Sequence, residues 1–193
     1  MKPTLKLSDR AIEETVIALN MLLADEYVLC TKIKNVYWNY STPSYYELHK
    51  FFKIQYELLD EMVNNIVNRV HTLGYIALGT MKDFLNTTRL SEETAHFNRS
   101  NLIIQTLITD HETIIEILRK EVIPLTNKLK DLITPSLVTS IMEQHEKMAW
   151  MLSSFLSEPA FGATKHIRTM SNLLVGYQEM NIQRQGLMPE FED

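Results

Sequence analysis

Four histidines fall inside stretches with helical periodicity: His49, His71, His111 and His145. A neutral imidazole is a common ligand for transition metals, and its charge changes between about pH 5 and 8. Each is therefore a candidate for metal ligation or proton transfer. His71 shares one long segment with Glu57, Asp60 and Glu61. Together they could compose a metal site, but their spacing is not specific, because charged residues on a long helix mostly face solvent. His111 stands between Asp110 and Glu112, and His145 precedes Glu146. Both sit on or near an apolar stripe, a pattern more typical of a buried, hydrogen-bonded histidine than of a catalytic one. The single cysteine, Cys30, rules out an internal disulfide framework and a multi-cysteine zinc site. No Ser-His-Asp arrangement, Gly-rich phosphate loop or zinc spacing is evident.

Long helices must position these groups. Ser8 is a good N-cap, with Asp9, Glu13 and Glu14 in the opening turns. Ile12, Val16, Leu19, Leu23, Tyr27, Cys30, Ile33 and Tyr37 then form a single apolar stripe, broken at Asn39–Pro43. A second helix runs from Ser44 to Leu73, with Leu48, Phe52, Tyr56, Leu59, Val63, Ile66 and Val70 inward and Gly74 as its stop. Thr80 to Leu85 makes a short amphipathic piece. The third long helix begins at Ser91 or Asn98 and reaches Glu121, with Ile103, Leu107, Ile114 and Leu118 inward; Pro124 should end or kink it. Thr134-Pro135 reads as an N-cap and first helical residue of the fourth, which carries Leu137, Ile141, His145, Met148, Met151 and Leu152. This pattern predicts an all-α four-helix bundle with a short helix in a long crossover between helices 2 and 3.

Residues 1–158 form the bundle in this reading, and 159–193 a C-terminal helical extension. Its apolar residues Ile167, Leu173, Leu174, Val175 and Tyr177 are too many for a solvated linker, so it should pack on the bundle or on a neighbouring subunit. Trp38 and Trp150 read as core or interface packing. Ten methionines fall mostly in apolar stripes and read as core filler.

With 193 residues, 45% hydrophobic, 5 Gly and 6 Pro, the chain is long enough for one sizeable core and poor in helix breakers. The formal charge of −5 argues against nucleic-acid binding by the whole surface. No stretch approaches the roughly 18 apolar residues of a membrane span, and the first residues lack the apolar core of a secretory signal. A cytoplasmic protein is the default expectation.

Between Leu29 and Gly74 the landmarks are Tyr37-Trp38-Asn39, Tyr45-Tyr46, Leu48-His49, Asn64-Asn65-Ile66-Val67-Asn68-Arg69 and Leu73-Gly74. Further on come Asp110-His111-Glu112 and the stretch from His145 to Leu152. In these features the chain resembles the starved-cell DNA-protection (Dps) family of ferritin-like mini-ferritins, over Ser8 to Leu156. The resemblance implies a ferritin-like four-helix bundle and a hollow shell of twelve subunits. It also implies ferrous iron oxidation between two-fold-related subunits, ferric mineral storage, and often DNA binding through basic terminal arms.

The family's iron ligands map onto Tyr37, His49 and Lys53 of one subunit and Asn64 and Asn68 of its partner. Only His49 keeps its type, making it the one retained metal-ligand candidate. Iron held for oxidation needs anionic oxygens and neutral imidazoles. Asn64 and Asn68 remove two negative charges, Lys53 puts an ammonium in place of an acid, and a phenol such as that of Tyr37 is a poor ligand at neutral pH, where phenols ordinarily keep their proton. The expectation is a ferroxidase site without catalytic residues and no resident cofactor, these positions instead forming a neutral dimer contact. The family's pore acids before the fourth helix are also reduced, with Asp131 followed by Thr134-Pro135-Ser136; Asp131 and Glu143 could partly compensate.

Three functions follow. The first is a non-catalytic shell, self-assembled or co-assembled with an active paralogous subunit, that binds DNA or protein. The second is an active iron oxidase and store working through an altered site, with iron as its metal. The third, a generic bundle with an unrelated ligand, is disfavoured by the resemblance. Iron uptake separates the first two. Any DNA contact should come from Lys2, Lys6 and Arg10 displayed twelve times, which would place the protein at the nucleoid; no membrane partner is expected.

Overall fold

The computed structural model describes residues 8–39, 45–92, 100–128 and 131–156. These all lie in the first of two compact units, Met1–Ser157; the extension at 159–193 is outside the described residues. The elements are α1 (Asp9–Asn39), α2 (Tyr45–Thr72), α3 (Met81–Thr87), α4 (Ser100–Ile117), α5 (Ile123–Asn127) and α6 (Ile133–Leu156), with a π-helical turn at Leu118–Val122 between α4 and α5. No strand occurs among the described residues.

The apolar stripes become the core. Leu19, Leu22, Leu23, Leu29 and Ile33 of α1 are fully buried against Phe52, Leu59 and Ile66 of α2, Leu107, Ile114 and Leu118 of the α4 path, and Met148 and Leu152 of α6. α1 and α2 run antiparallel. Tyr37 meets His49 at one end of the pair, and the Tyr75 hydroxyl donates to Glu13 at the other, 3.4 Å away. α2 and α6 are antiparallel too, since Phe51 packs on Phe155 while Arg69 Nε donates to Thr134 Oγ1 at 2.8 Å.

Boundaries follow local chemistry. Gly74 takes φ 89°, a left-handed conformation that glycine adopts without a Cβ clash, and closes α2 by donating to His71 O at 2.9 Å. Thr80 caps α3, accepting from Asp83 N at 3.2 Å. α4 is described from Ser100; Ser91 is not helical, and the other expected start, Asn98, lies outside the described residues.

Two expectations change. Pro124 does not stop the helical path. The preceding turn widens, and Ile123 N–H reaches back five residues to Leu118 O. A wide turn immediately before a proline relieves the clash between its ring and the preceding carbonyl and absorbs its missing donor. Thr134 is not the N-cap of α6. Asp131 takes that role, accepting from Ile133 N at 2.6 Å and Thr134 N at 3.4 Å, which frees Thr134 to be buried between Asp131 and Arg69. Trp38 and Trp150 are 68% and 72% exposed, so neither is a core residue of the subunit.

Candidate functional site

The last turns of α1 and the first turns of α2 bring Tyr37 and His49 together, their rings 3.9 Å apart and 31° from parallel. Tyr56 meets the Tyr37 ring edge-on at 5.2 Å. The His49 imidazole is thus flanked on one side by the Tyr37 phenol ring. One turn on, Lys53 lies 3.7 Å from Glu57, both about half exposed. Lys34 reaches Asp60 at 3.5 Å and lies over the Tyr56 ring. Glu57 and Asp60, further along α2, are thus each paired with a lysine.

Asn64 and Asn68 lie elsewhere. At 1.5 Å per residue they sit about 22 and 28 Å along α2 from His49. Asn64 Nδ2 donates to Asp60 O at 2.8 Å, a contact within its own helix, and Asn68 is exposed. Within one chain the five positions therefore do not converge. Glu61 and His71 are also exposed. Among the described residues, no three His, Cys, Asp or Glu side chains are grouped so as to hold a metal ion.

Asp131 is committed to structure. Its carboxylate accepts from Arg69 Nη2 and from the Thr134 hydroxyl, each at 2.6 Å. Burial acts to raise its pKa, but the Thr134 and Ile133 hydrogen bonds and the Arg69 charge outweigh it, and the group sits below the usual aspartate value. Glu143 is exposed on α6. Of the basic residues near the amino end, Arg10 is paired with Glu14 at 2.9 Å and highly exposed; Lys2 and Lys6 lie outside the described residues.

Two buried acids on adjacent positions of α1 were not singled out from sequence. Asp25 and Glu26 are both fully buried. Asp25 anchors the segment after α3, its Oδ2 accepting from Arg89 Nη2 at 2.6 Å and Nε at 2.9 Å, its Oδ1 from Arg89 N at 2.7 Å and Thr88 Oγ1 at 2.9 Å. The available signal was their place on α1 between Leu22-Leu23 and Leu29, where an acid must find a partner or stay neutral.

This helical geometry agrees with comparison to known proteins. Residues 17–160 match the ferritin family model, described as a ferritin-like domain, and the chain belongs to that family. Within it the chain is a member of the Dps group. It is 27% identical over 146 residues to DNA protection during starvation protein 2 of Bacillus anthracis, covering 76% of this chain and 99% of that one. It is 35% identical over 150 residues to a low temperature-induced protein of Nostoc sp., covering 78% and 84% of the two chains. The same fold appears in DpsC from Streptomyces coelicolor, with a TM-score of 0.79 at 21% identity over 84% of this chain and 94% of that one. No described helix is long and apolar enough to cross a membrane.

Proposed function

We propose that this chain builds a Dps-type hollow shell of twelve subunits in which the family's iron-oxidising position is non-catalytic, and that it serves in protection or co-assembly. The observation that carries this reading is the setting of His49: a tilted Tyr37 ring 3.9 Å away, Lys53 in the next turn, and Glu57 and Asp60 further along α2 engaged by lysines. A ferrous ion arriving there meets one imidazole, a phenol and carboxylates already paired with lysines. The test is anaerobic ferrous titration followed by oxygen or peroxide, taken up in the Discussion.

Self-assembly is supported by the exposed apolar residues Trp38, Ile54 and Trp150, large side chains that a monomer would seldom leave in water together. Light scattering at micromolar concentration should give the mass of a closed oligomer, about twelve times 22.5 kDa. A stable monomer or dimer would refute the shell.

DNA retention, where it occurs, rests in this reading on Lys2, Lys6 and Arg10. Phosphate contacts release counterions, so retention should fall steeply with salt. Deletion of residues 1–10 is expected to abolish gel retardation; retardation unchanged by that deletion would move the binding surface elsewhere.

A further inference from the structure

The interior of the bundle holds a polar chain unrelated to the His49 region. Glu26 of α1, His145 of α6 and His111 of α4 are each fully buried. Glu26 Oε1 lies 2.8 Å from His145 Nε2, and His145 Nδ1 lies 2.8 Å from His111 Nδ1. A carboxylate can only accept, so His145 donates through Nε2. A neutral His145 then accepts at Nδ1, and His111 donates from its own Nδ1. These ring protons are assigned from hydrogen-bond logic. The chain ends at two atoms without partners among the described residues, Glu26 Oε2 and His111 Nε2.

The consequence lies in where another proton can go. Added at His111 Nε2, it creates an N–H with no acceptor. Added at His145 Nδ1, it faces the existing His111 N–H and forces that proton across the ring to Nε2, the same dead end. Neither route places the new donor without cost, because an unpaired buried N–H loses its water and gains nothing.

We propose that the Glu26–His145–His111 chain is a proton-operated latch: unprotonated at its free end it ties α1, α4 and α6 together, and proton uptake in mild acid loosens α4 and α6 from α1. Among the described residues, the other groups around this level are neutral or already paired. The buried residues of α2 in its middle turns include Leu59, Met62 and the neutral Gln55. Cys30, one turn along α1, is a thiol whose pKa burial raises. Asp110, beside His111, is held by Lys32 at 2.5 Å, and Asp25 is occupied by Arg89. The buried residues of the π turn and α5 are Leu118, Val122 and Thr126, and α3 contributes Phe84.

Burial is the main cause that holds His111 well below the usual histidine value of 6.5, and a positive charge on His145 would lower it further. Below about pH 6.5 the opened state takes up this proton and the closed state does not, so closure weakens as pH falls until the depressed value is reached.

Hydrogen exchange of the assembled full-length protein between pH 7 and 5, corrected for intrinsic rates, tests this. Opening of α4 and α6 should increase by up to about tenfold per pH unit below pH 6.5, the limit for one proton. His111→Phe should flatten that dependence, and Asp110→Asn should leave it intact. If His111→Phe does not assemble, His111→Gln is read the same way. A flat profile in the native protein, or a rise unchanged by the His111 variant, overturns the latch. A saturable cobalt(II) site lost in Glu26→Gln would also overturn it, by giving the chain to a metal.

Discussion

Mixed anaerobically with ferrous iron and then exposed to oxygen or peroxide, the purified protein is expected to oxidise the metal no faster than buffer. The reason is cumulative. Ferrous iron prefers sites that combine imidazole with carboxylate oxygen, and of the five family positions only His49 supplies either. A divalent ion about 4 Å from the Lys53 ammonium is opposed by about 2 kcal/mol even at the dielectric constant of water, a loss of roughly thirtyfold in affinity before the missing carboxylates are counted. Lys53 is itself half exposed and paired with Glu57, so part of this repulsion is screened. The absence of anionic ligands is not. Tyr37→His, Lys53→Asp, Asn64→Asp and Asn68→Glu made together should create a saturable oxidation phase, whereas any one alone should change little. A bridged metal pair needs ligands from both subunits at once, and residues acting as a unit are not additive. A saturable phase in the unmodified protein, abolished by His49→Ala, would reinstate iron oxidation and storage as the function.

The second large effect is structural. Arg89→Ala should lower the stability of the fold by about 3 kcal/mol, the lower end of what removing one partner of a buried pair costs. Asp25 is wholly buried, while the Arg89 side chain is 21% exposed. Truncating the arginine leaves a carboxylate whose Oδ2 has lost both of its donors, although Thr88 and the Arg89 backbone still serve Oδ1. Adding Asp25→Asn to Arg89→Ala should recover a substantial part of the loss, because a neutral amide is cheaper to bury than an unpaired charge. Urea titrations of the two single variants and the double variant give the coupling directly. Equal losses in Arg89→Ala and the double variant would show that packing of the long side chain dominates instead.

Helix by helix, the sequence alone was enough to determine the bundle. The stripe from Ile12 to Ile33 is buried as its spacing required. Gly74 ends α2 with positive φ, and Thr80 opens the short helix in the crossover. Helical periodicity, capping and glycine stops act over a few residues, so they are readable along the chain. That Lys53, Asn64 and Asn68 stand at the family's ligand positions is an expectation from the resemblance, and their residue types alone give the argument against a cation there.

Other features depended on how a local turn relaxes or on partners far away in sequence. The helical path through Pro124 came from a widened turn whose bond runs from Ile123 back to Leu118. Asp131 displaced Thr134 as the cap because Arg69 of α2 stands beside them both. Glu26 meets His145 at a sequence separation of 119, and Asp25 meets Arg89 at one of 64. A buried acid in an apolar stripe announces that it must be paired, but only the packing of one helix on another selects the partner. For the same reason the exposed faces of Trp38 and Trp150 emerged from tertiary structure: periodicity places a residue on a helix, while the neighbouring helices decide which side of that helix is covered.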